Sequence, residues 1–279
     1  MAQILGGIGV THSPSVAVAF DRGHTERPEW APFFENTQPV KKWLTALAPD
    51  TLVIFYNDHL NRFPLSTYPT FAVGCDDTLR VADEGHGRRD LPDVPGDSEL
   101  AWHICRHLVA NEFDITMCQE MEVDHGVLSP LPLIADPPWQ IKVIPIAINV
   151  ILHPLPTARR CWRLGEAVAR AIAAFPGERR VVIAGTGGLS HQLQGKDFGF
   201  VNPEWDNEFL DLIESDPEQL VALSHDTYMD RGGAESIEMI IWLAMRGALS
   251  GKLRRVQRVY WPRLTGLGML ALQPEATAA

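Results

Sequence analysis

The sequence predicts an α/β fold, a single domain with a central mixed sheet covered by helices on both faces. Two observations carry that prediction. Short β-rich apolar runs alternate with amphipathic stretches of helical period along almost the whole chain. No internal repeat, linker or break in composition divides the 279 residues, so one domain (1–279) accounts for them.

The elements follow in order. Residues 4–10 form an apolar run containing three glycines and ending at Thr11-His12-Ser13-Pro14, which reads as a buried strand and a loop. Residues 37–48 carry apolar side chains at helical spacing and stop before Pro49-Asp50. Residues 51–56 (TLVIFY) are a strand that ends at Asn57-Asp58-His59. The stretch 61–97 is rich in Pro, Gly and Asp; it holds one strand near 70–73 and then a long loop through GHGRRDLPDVPGD. Loops of that length usually serve function or are covered by a partner.

A helix capped by Asp97 runs to Asn111, followed by a short strand at 114–117. Residues 142–150 are a buried strand interrupted by Pro145. Residues 157–174 are an amphipathic helix with a Thr cap, and 180–184 a strand leading into GTGGLSH. Residues 203–213 are helical, 234–248 form an apolar helix closed by Gly251, and 256–261 with 267–272 read as a hairpin. The tail 273–279 is expected to be disordered.

Composition excludes several classes of function. With 46% hydrophobic and 21% charged residues the chain is ordinary globular protein. A formal net charge of -11 argues against nucleic acid or an anionic membrane as partner, but leaves a small anionic substrate open. No run reaches the roughly 18 to 20 apolar residues of a membrane helix. Residues 1–19 lack the basic start of a signal peptide. Cys75, Cys105, Cys118 and Cys161 form no CxxC pair and read as reduced core thiols of a cytoplasmic protein.

The histidines are the chemical signal. Of ten, His12, His59 and His191 each follow a strand and begin an irregular loop. In open α/β sheets sites are built at the carboxyl ends of strands. Two neutral imidazoles and one carboxylate on one face make the facial arrangement of non-haem iron(II) oxygenases, with positions left for O₂ and a chelating substrate. The 234–248 helix offers Glu235 and Glu238. Glu238 lies inside an apolar stretch, where a carboxylate is costly to bury unless paired or metal-bound. Glu235 is nearer the helix start and already has a favourable place in the helix dipole.

These residues sit within THSPS around His12, YNDH ending at His59, VDHGVLSPL at 123–131, GTGGLSHQLQG at 185–195, PEWDNEFLD at 203–211 and IEMIIWLAMRGAL at 237–249. In that order the chain resembles the class III extradiol ring-cleavage dioxygenases, and among them the protocatechuate 4,5-dioxygenase β subunits. The resemblance implies that His12, His59 and Glu238 hold Fe(II). In the family this glutamate stands four residues before a tryptophan, as Glu238 stands before Trp242, so the resemblance implies Glu238 and not Glu235. It implies an acid/base role for His191, a pocket-lining role for His125 and a supporting role for Asn57. It further implies a catecholic aromatic acid and O₂ as substrates, in the breakdown of aromatic, lignin-derived compounds. A small α subunit would cover the site in a homo- or hetero-oligomer, and no α-like segment accompanies the β-like one here. The chain departs from the β-subunit pattern at WPRLTGLG (261–268), where Arg263 or Thr265 is expected to meet the substrate carboxylate. That departure keeps gallate or 3-O-methylgallate open beside protocatechuate. A zinc-dependent hydrolase on the same scaffold and a non-catalytic subunit are the readings from other classes.

Other features have plainer readings. His103 and His107, four apart, lack a third ligand and read as a solvated helix face. His24, His86, His153 and His225 read as surface residues, Arg88-Arg89 as solvated, and Trp162, Trp205 and Trp242 as core. GTGG lacks the lysine of a phosphate loop; its glycines let the backbone approach the site.

Overall fold

The apolar runs pair as strands in the computed structural model, which describes residues 1–275. The strands are β1 (Gln3–Val10), β2 (Thr51–Tyr56), β3 (Phe71–Gly74), β4 (Thr78–Val81), β5 (Val94–Pro95), β6 (Thr116–Cys118), β7 (Glu122–Val123), β8 (Lys142–Ile148), β9 (Arg180–Thr186), β10 (Leu253–Pro262) and β11 (Gly266–Pro274). The helices are α1 (Pro14–Asp21), α2 (Ala31–Leu47), α3 (Ser98–Ala110), α4 (His125–Leu128), α5 (Leu131–Ile134), α6 (Ala158–Ala173), α7 (Pro203–Ser215), α8 (Pro217–Val221), α9 (His225–Gly232) and α10 (Met239–Gly247).

Eight strands form one sheet in the order β10-β11-β1-β9-β2-β8-β3-β6, and β5-β4-β7 form a small second one. The centre β1-β9-β2-β8 is parallel, while β11 and β3 run antiparallel to β1 and β8. The sheet is therefore mixed, as expected. Every residue of β2 is buried, the mark of a strand covered on both faces. Its side chains alternate between the two layers. Val53 and Phe55 pack with α3, α6 and α10, and Leu52, Ile54 and Tyr56 with α1, α2, α4 and α5.

Local chemistry sets the boundaries. Asp97 and Thr157 cap α3 and α6 through the amides of Leu100 and Arg160. Pro145 is tolerated in a central strand because the β3–β8 pairing stops at Val73 and Ile146, and the next residue of β3 is Gly74. A Cβ on Gly74 would meet the Pro145 ring at 2.7 Å, so only glycine fits beside it.

Several expectations are corrected. The helix expected at 37–48 begins earlier, at Ala31, and accommodates Pro39. The segment expected as one helix at 234–248 is a 3-10 turn, Ala234–Glu238, followed by α10. α1, α4, α5, α8 and α9 occupy stretches to which the sequence assigned no helix, and the long loop contains β4 and β5. The tail does not loosen at residue 273. Gln273 and Pro274 belong to β11, and the Glu275 amide donates to Lys252 O at 2.8 Å. Residues 276–279, also expected to be disordered, lie outside the described residues. The four cysteines are buried and free. Among the described residues no helix is long and apolar enough to cross a membrane.

Candidate metal centre and active site

β1, β9 and β2 are adjacent and parallel, so their carboxyl ends open at one edge of the sheet. Past those ends come His12 after β1, Asn57 and His59 after β2, and the glycine-rich turn to His191 after β9. Glu238 arrives from elsewhere, as the last residue of the 3-10 turn before α10. Trp242, one helical turn on, packs against Gly9 of β1, where a Cβ would come within 2.1 Å of the indole ring. Gly187 has φ +137°, and a Cβ there would lie 2.9 Å from the Glu238 Cβ. These two glycines let the α10 segment close on the sheet edge.

The side chains converge. His12 Nε2 lies 3.1 Å from Glu238 Oε2, and His59 Nε2 lies 3.8 Å from Glu238 Oε1. Donor atoms of His12, His59 and Glu238 all lie within 4.8 Å of one another. Ligands about 2.0–2.1 Å from a shared metal and roughly at right angles to one another stand about 3 Å apart, so this donor set fits a metal ion. A second cluster, His59, Asp124 and His125, has comparable spacing. Its Asp124 is already occupied, accepting from the His59 amide at 2.7 Å, His59 Nδ1 at 3.0 Å and the Gly126 amide at 2.9 Å. Asp124 therefore supports the first cluster.

Each imidazole is oriented through its other nitrogen. His12 Nδ1 is paired with Thr186 Oγ1 at 3.0 Å, and His59 Nδ1 with Asp124, leaving both Nε2 atoms toward Glu238. His191 Nδ1 donates to Leu189 O at 2.8 Å, and its Nε2 stands 3.8 Å from Glu238 Oε2. The Gly188 amide donates to Glu238 Oε2 at 2.7 Å. Asn57 Nδ2 lies 3.0 Å from His59 Nε2 and 3.4 Å from Glu238 Oε1.

Burial pushes the Glu238 carboxyl up, but the facing His12, His59 and His191 rings outweigh it and hold the carboxyl well below its usual range. Burial would lower His59, yet the Asp124 and Glu238 carboxylates outweigh it and push the ring up to about 10. His12 is more purely desolvated, and burial lowers it despite Glu238.

His125 joins the group, its ring 3.7 Å from that of His59 and nearly parallel to it. Thr265 is buried, and its methyl and the His191 ring both crowd the space beside Gly188. Arg263 stands apart: its guanidinium donates to Glu29 O and lies 4.6 Å from the Trp30 ring centre. Glu235 accepts from the Leu193 amide at 3.0 Å instead of joining the donors. His103 and His107 stack near Phe175, remote from this centre in the chain and in its contacts.

Sequence reasoning missed several supports, Asp124 and Thr186 among them. Asp206, fully buried, accepts from the Ser190 amide and hydroxyl, both at 2.7 Å, and from Tyr260 at 2.8 Å, fixing the turn that carries His191. An aspartate beside Trp205 and Phe209 on the apolar side of a helix was the available signal. Arg89, read as solvated, instead forks onto Asp21 at 2.7 and 2.8 Å and donates to Leu128 O. Glu84, unremarked in a polar loop, pairs with His125.

The model of a family described as the catalytic LigB subunit of aromatic ring-opening dioxygenase matches residues 6–266. The chain is similar to a gallate dioxygenase of Pseudomonas putida, 43% identical over 196 residues, or 69% of this chain and 58% of that protein. It thus spans less than two thirds of that relative. It is also similar to 2,3-dihydroxyphenylpropionate/2,3-dihydroxicinnamic acid 1,2-dioxygenases. That of Rhodococcus sp is 30% identical over 79% of this chain and 83% of its own length. That of Escherichia coli is 30% identical over 83% of this chain and 88% of its own length. The fold is shared with an uncharacterized protein of Escherichia coli K12, with a TM-score of 0.59 at 18% identity, covering 97% of this chain and 100% of that one.

Proposed function

We propose, from the premise that this chain belongs to the family of catalytic LigB subunits of aromatic ring-opening dioxygenases, that it opens the ring of a catecholic aromatic acid with O₂ at an Fe(II) centre held by His12, His59 and Glu238. The observation that carries the reading is the clustering of those three donors at the ends of adjacent parallel strands. Iron(II) bound there would supply open coordination positions and the one-electron chemistry that closed-shell organic molecules lack toward O₂.

The chain's own residues supply binding geometry and proton transfer. With Nδ1 donating to Leu189 O, the His191 Nε2 is the atom free to take a proton from a substrate hydroxyl and return it as the ring opens. His125 lines the pocket beside His59, and Asn57 supports the site by donating its amide N–H to Glu238 Oε1. Of the two residues considered for the substrate carboxylate, Thr265 stands beside His191 while Arg263 is engaged with Glu29 and Trp30. These surroundings support Thr265 over Arg263 for that role.

A protocatechuate-like acid fits this reading, and gallate or 3-O-methylgallate is the alternative that the 43% identical gallate dioxygenase favours. The same donor set suits a zinc-dependent hydrolase, which family membership disfavours. The protein is read as cytoplasmic from its free thiols, and as acting with a small α subunit over the site in an oligomer. Adding such a subunit should raise activity; high kcat/KM from the chain alone, unaffected by any co-expressed subunit, would remove that element. The test of the function is metal analysis with O₂ uptake by iron-loaded and zinc-loaded protein on protocatechuate, gallate and 3-O-methylgallate. Uptake with iron alone supports the reading, and zinc-dependent hydrolysis without uptake overturns it.

A further inference from the structure

We propose that Glu84 is a positioning residue that selects the tautomer and ring orientation of His125. This rests on the reading of His125 as a wall of the substrate pocket. The carboxylate of Glu84 spans two donors of that one residue: Oε1 accepts the His125 backbone amide at 3.0 Å, and Oε2 pairs with Nδ1. Both side chains are largely withdrawn from solvent, 18% exposed for Glu84 and 13% for His125.

The fold delivers Glu84 to this place. β4 and β7 pair in parallel, Arg80 with Glu122 and Val81 with Val123. Three residues beyond β4 comes Glu84, and two beyond β7 comes His125, so the pairing carries both to one point. The segment after Glu84 is tied down. Asp83 Oδ1 accepts the Gly85 and Gly87 amides, both at 2.9 Å. Arg89 grips Asp21 and donates to Leu128 O at 2.7 Å, at the far end of the helix that His125 begins.

The consequence is chemical. An imidazole ring has a two-fold choice about χ2, which exchanges nitrogens with carbons, and a second choice of which nitrogen carries the proton. A carboxylate at Nδ1 removes both choices, so in the neutral ring Nδ1 carries the proton and Nε2 is the lone-pair atom. His59 restricts the ring from its face, with an interplanar angle of 27°. Glu84 thus does for a pocket histidine what Asp124 does for His59, where a carboxylate fixes the tautomer of a metal-ligand imidazole.

A purely structural role, capping the first turn of α4, is the competing account, and two measurements separate them. In nitrogen-15 spectra of the metal-free chain, the neutral His125 ring should be the Nδ1–H tautomer, becoming a mixture in Glu84→Ala. A wild-type ring in the Nε2–H form overturns the proposal whatever the activity. In iron-loaded protein, Glu84→Ala should keep its metal and lose kcat/KM on the best catechol by about 10- to 100-fold. Glu84→Gln, which retains an oxygen to accept Nδ1–H, should recover part of that loss. In a His125→Ala background, adding Glu84→Ala should cost nothing further. An equal loss in both backgrounds, or none in either, contradicts the proposal. Iron-loaded wild type that consumes no O₂ with any catechol would defeat the functional reading, while the tautomer measurement would still decide the role of Glu84.

Discussion

His12 Nε2 and Glu238 Oε2 lie 3.1 Å apart although 226 residues separate them in the chain. The contact joins the end of β1 to the start of α10, and no local element accounts for it. Both groups are buried, and a buried carboxylate against an imidazole is favourable only when the pair is compensated by hydrogen bonds or a metal.

The first prediction follows from that contact. His12→Ala, His59→Ala and Glu238→Ala should each bring bound iron to background and abolish turnover, by metal analysis and oxygen electrode. Glu235→Ala should retain both, because Glu235 engages the Leu193 amide and not the donor cluster. Metal lost from Glu235→Ala but kept by Glu238→Ala would reverse the choice of carboxylate.

Gly187 should tolerate no side chain. Its φ of +137° is a backbone region that other residues enter at a cost of about 1–3 kcal/mol, and a Cβ would also press on Glu238. Gly187→Ala is expected to lower iron affinity at least tenfold and to lower Tm. An unchanged iron titration would show that the approach of Glu238 to this turn is not critical.

His191→Ala should still bind iron, because its Nε2 stands outside the three-donor set. Its turnover is expected to fall by about 10²- to 10⁴-fold, the range for a lost general acid/base. Steady-state rates near neutral pH measure this, and full activity would remove His191 from the reaction.

Metal loading should depend on pH with a definite sign. In the metal-free site Asp124 and Glu238 hold the His59 pKa up at about 10 against burial. This ring therefore stabilises the metal-free fold fully below its ordinary pKa near 6.5, and the contribution is lost as pH rises through about 10. At neutral pH a metal must displace that proton, so apparent affinity should rise with pH, with about one proton released per metal at His59. Calorimetric titration in buffers of different ionisation enthalpy reads the proton count, and zero release would contradict the assignment of His59 as a ligand.

Much of this was legible in the sequence where the signal is local. TLVIFY reads as a strand from its β-branched and aromatic residues, and the histidines after residues 4–10, 51–56 and 180–184 mark one sheet edge if those strands are parallel neighbours, as they are. The supporting groups were less legible because their partners are distant. Glu84 meets His125 from 41 residues away, and Arg89 meets Asp21 across 68. A polar loop that looks solvated by composition is held by ion pairs that only the folded chain creates. Short helices such as α4 were missed for another reason: they last about one turn and carry no periodic pattern long enough to read.

This chain is expected to place both atoms of O₂ into the product of opening a catechol ring. The most direct test supplies ¹⁸O₂ to anaerobically iron-loaded protein with its best catecholic acid and analyses the product by mass spectrometry. One ring-opened product per O₂ consumed is expected, with both labelled atoms incorporated before exchange with water. An oxidised but intact ring, or a ring-opened product that carries no ¹⁸O, would contradict it.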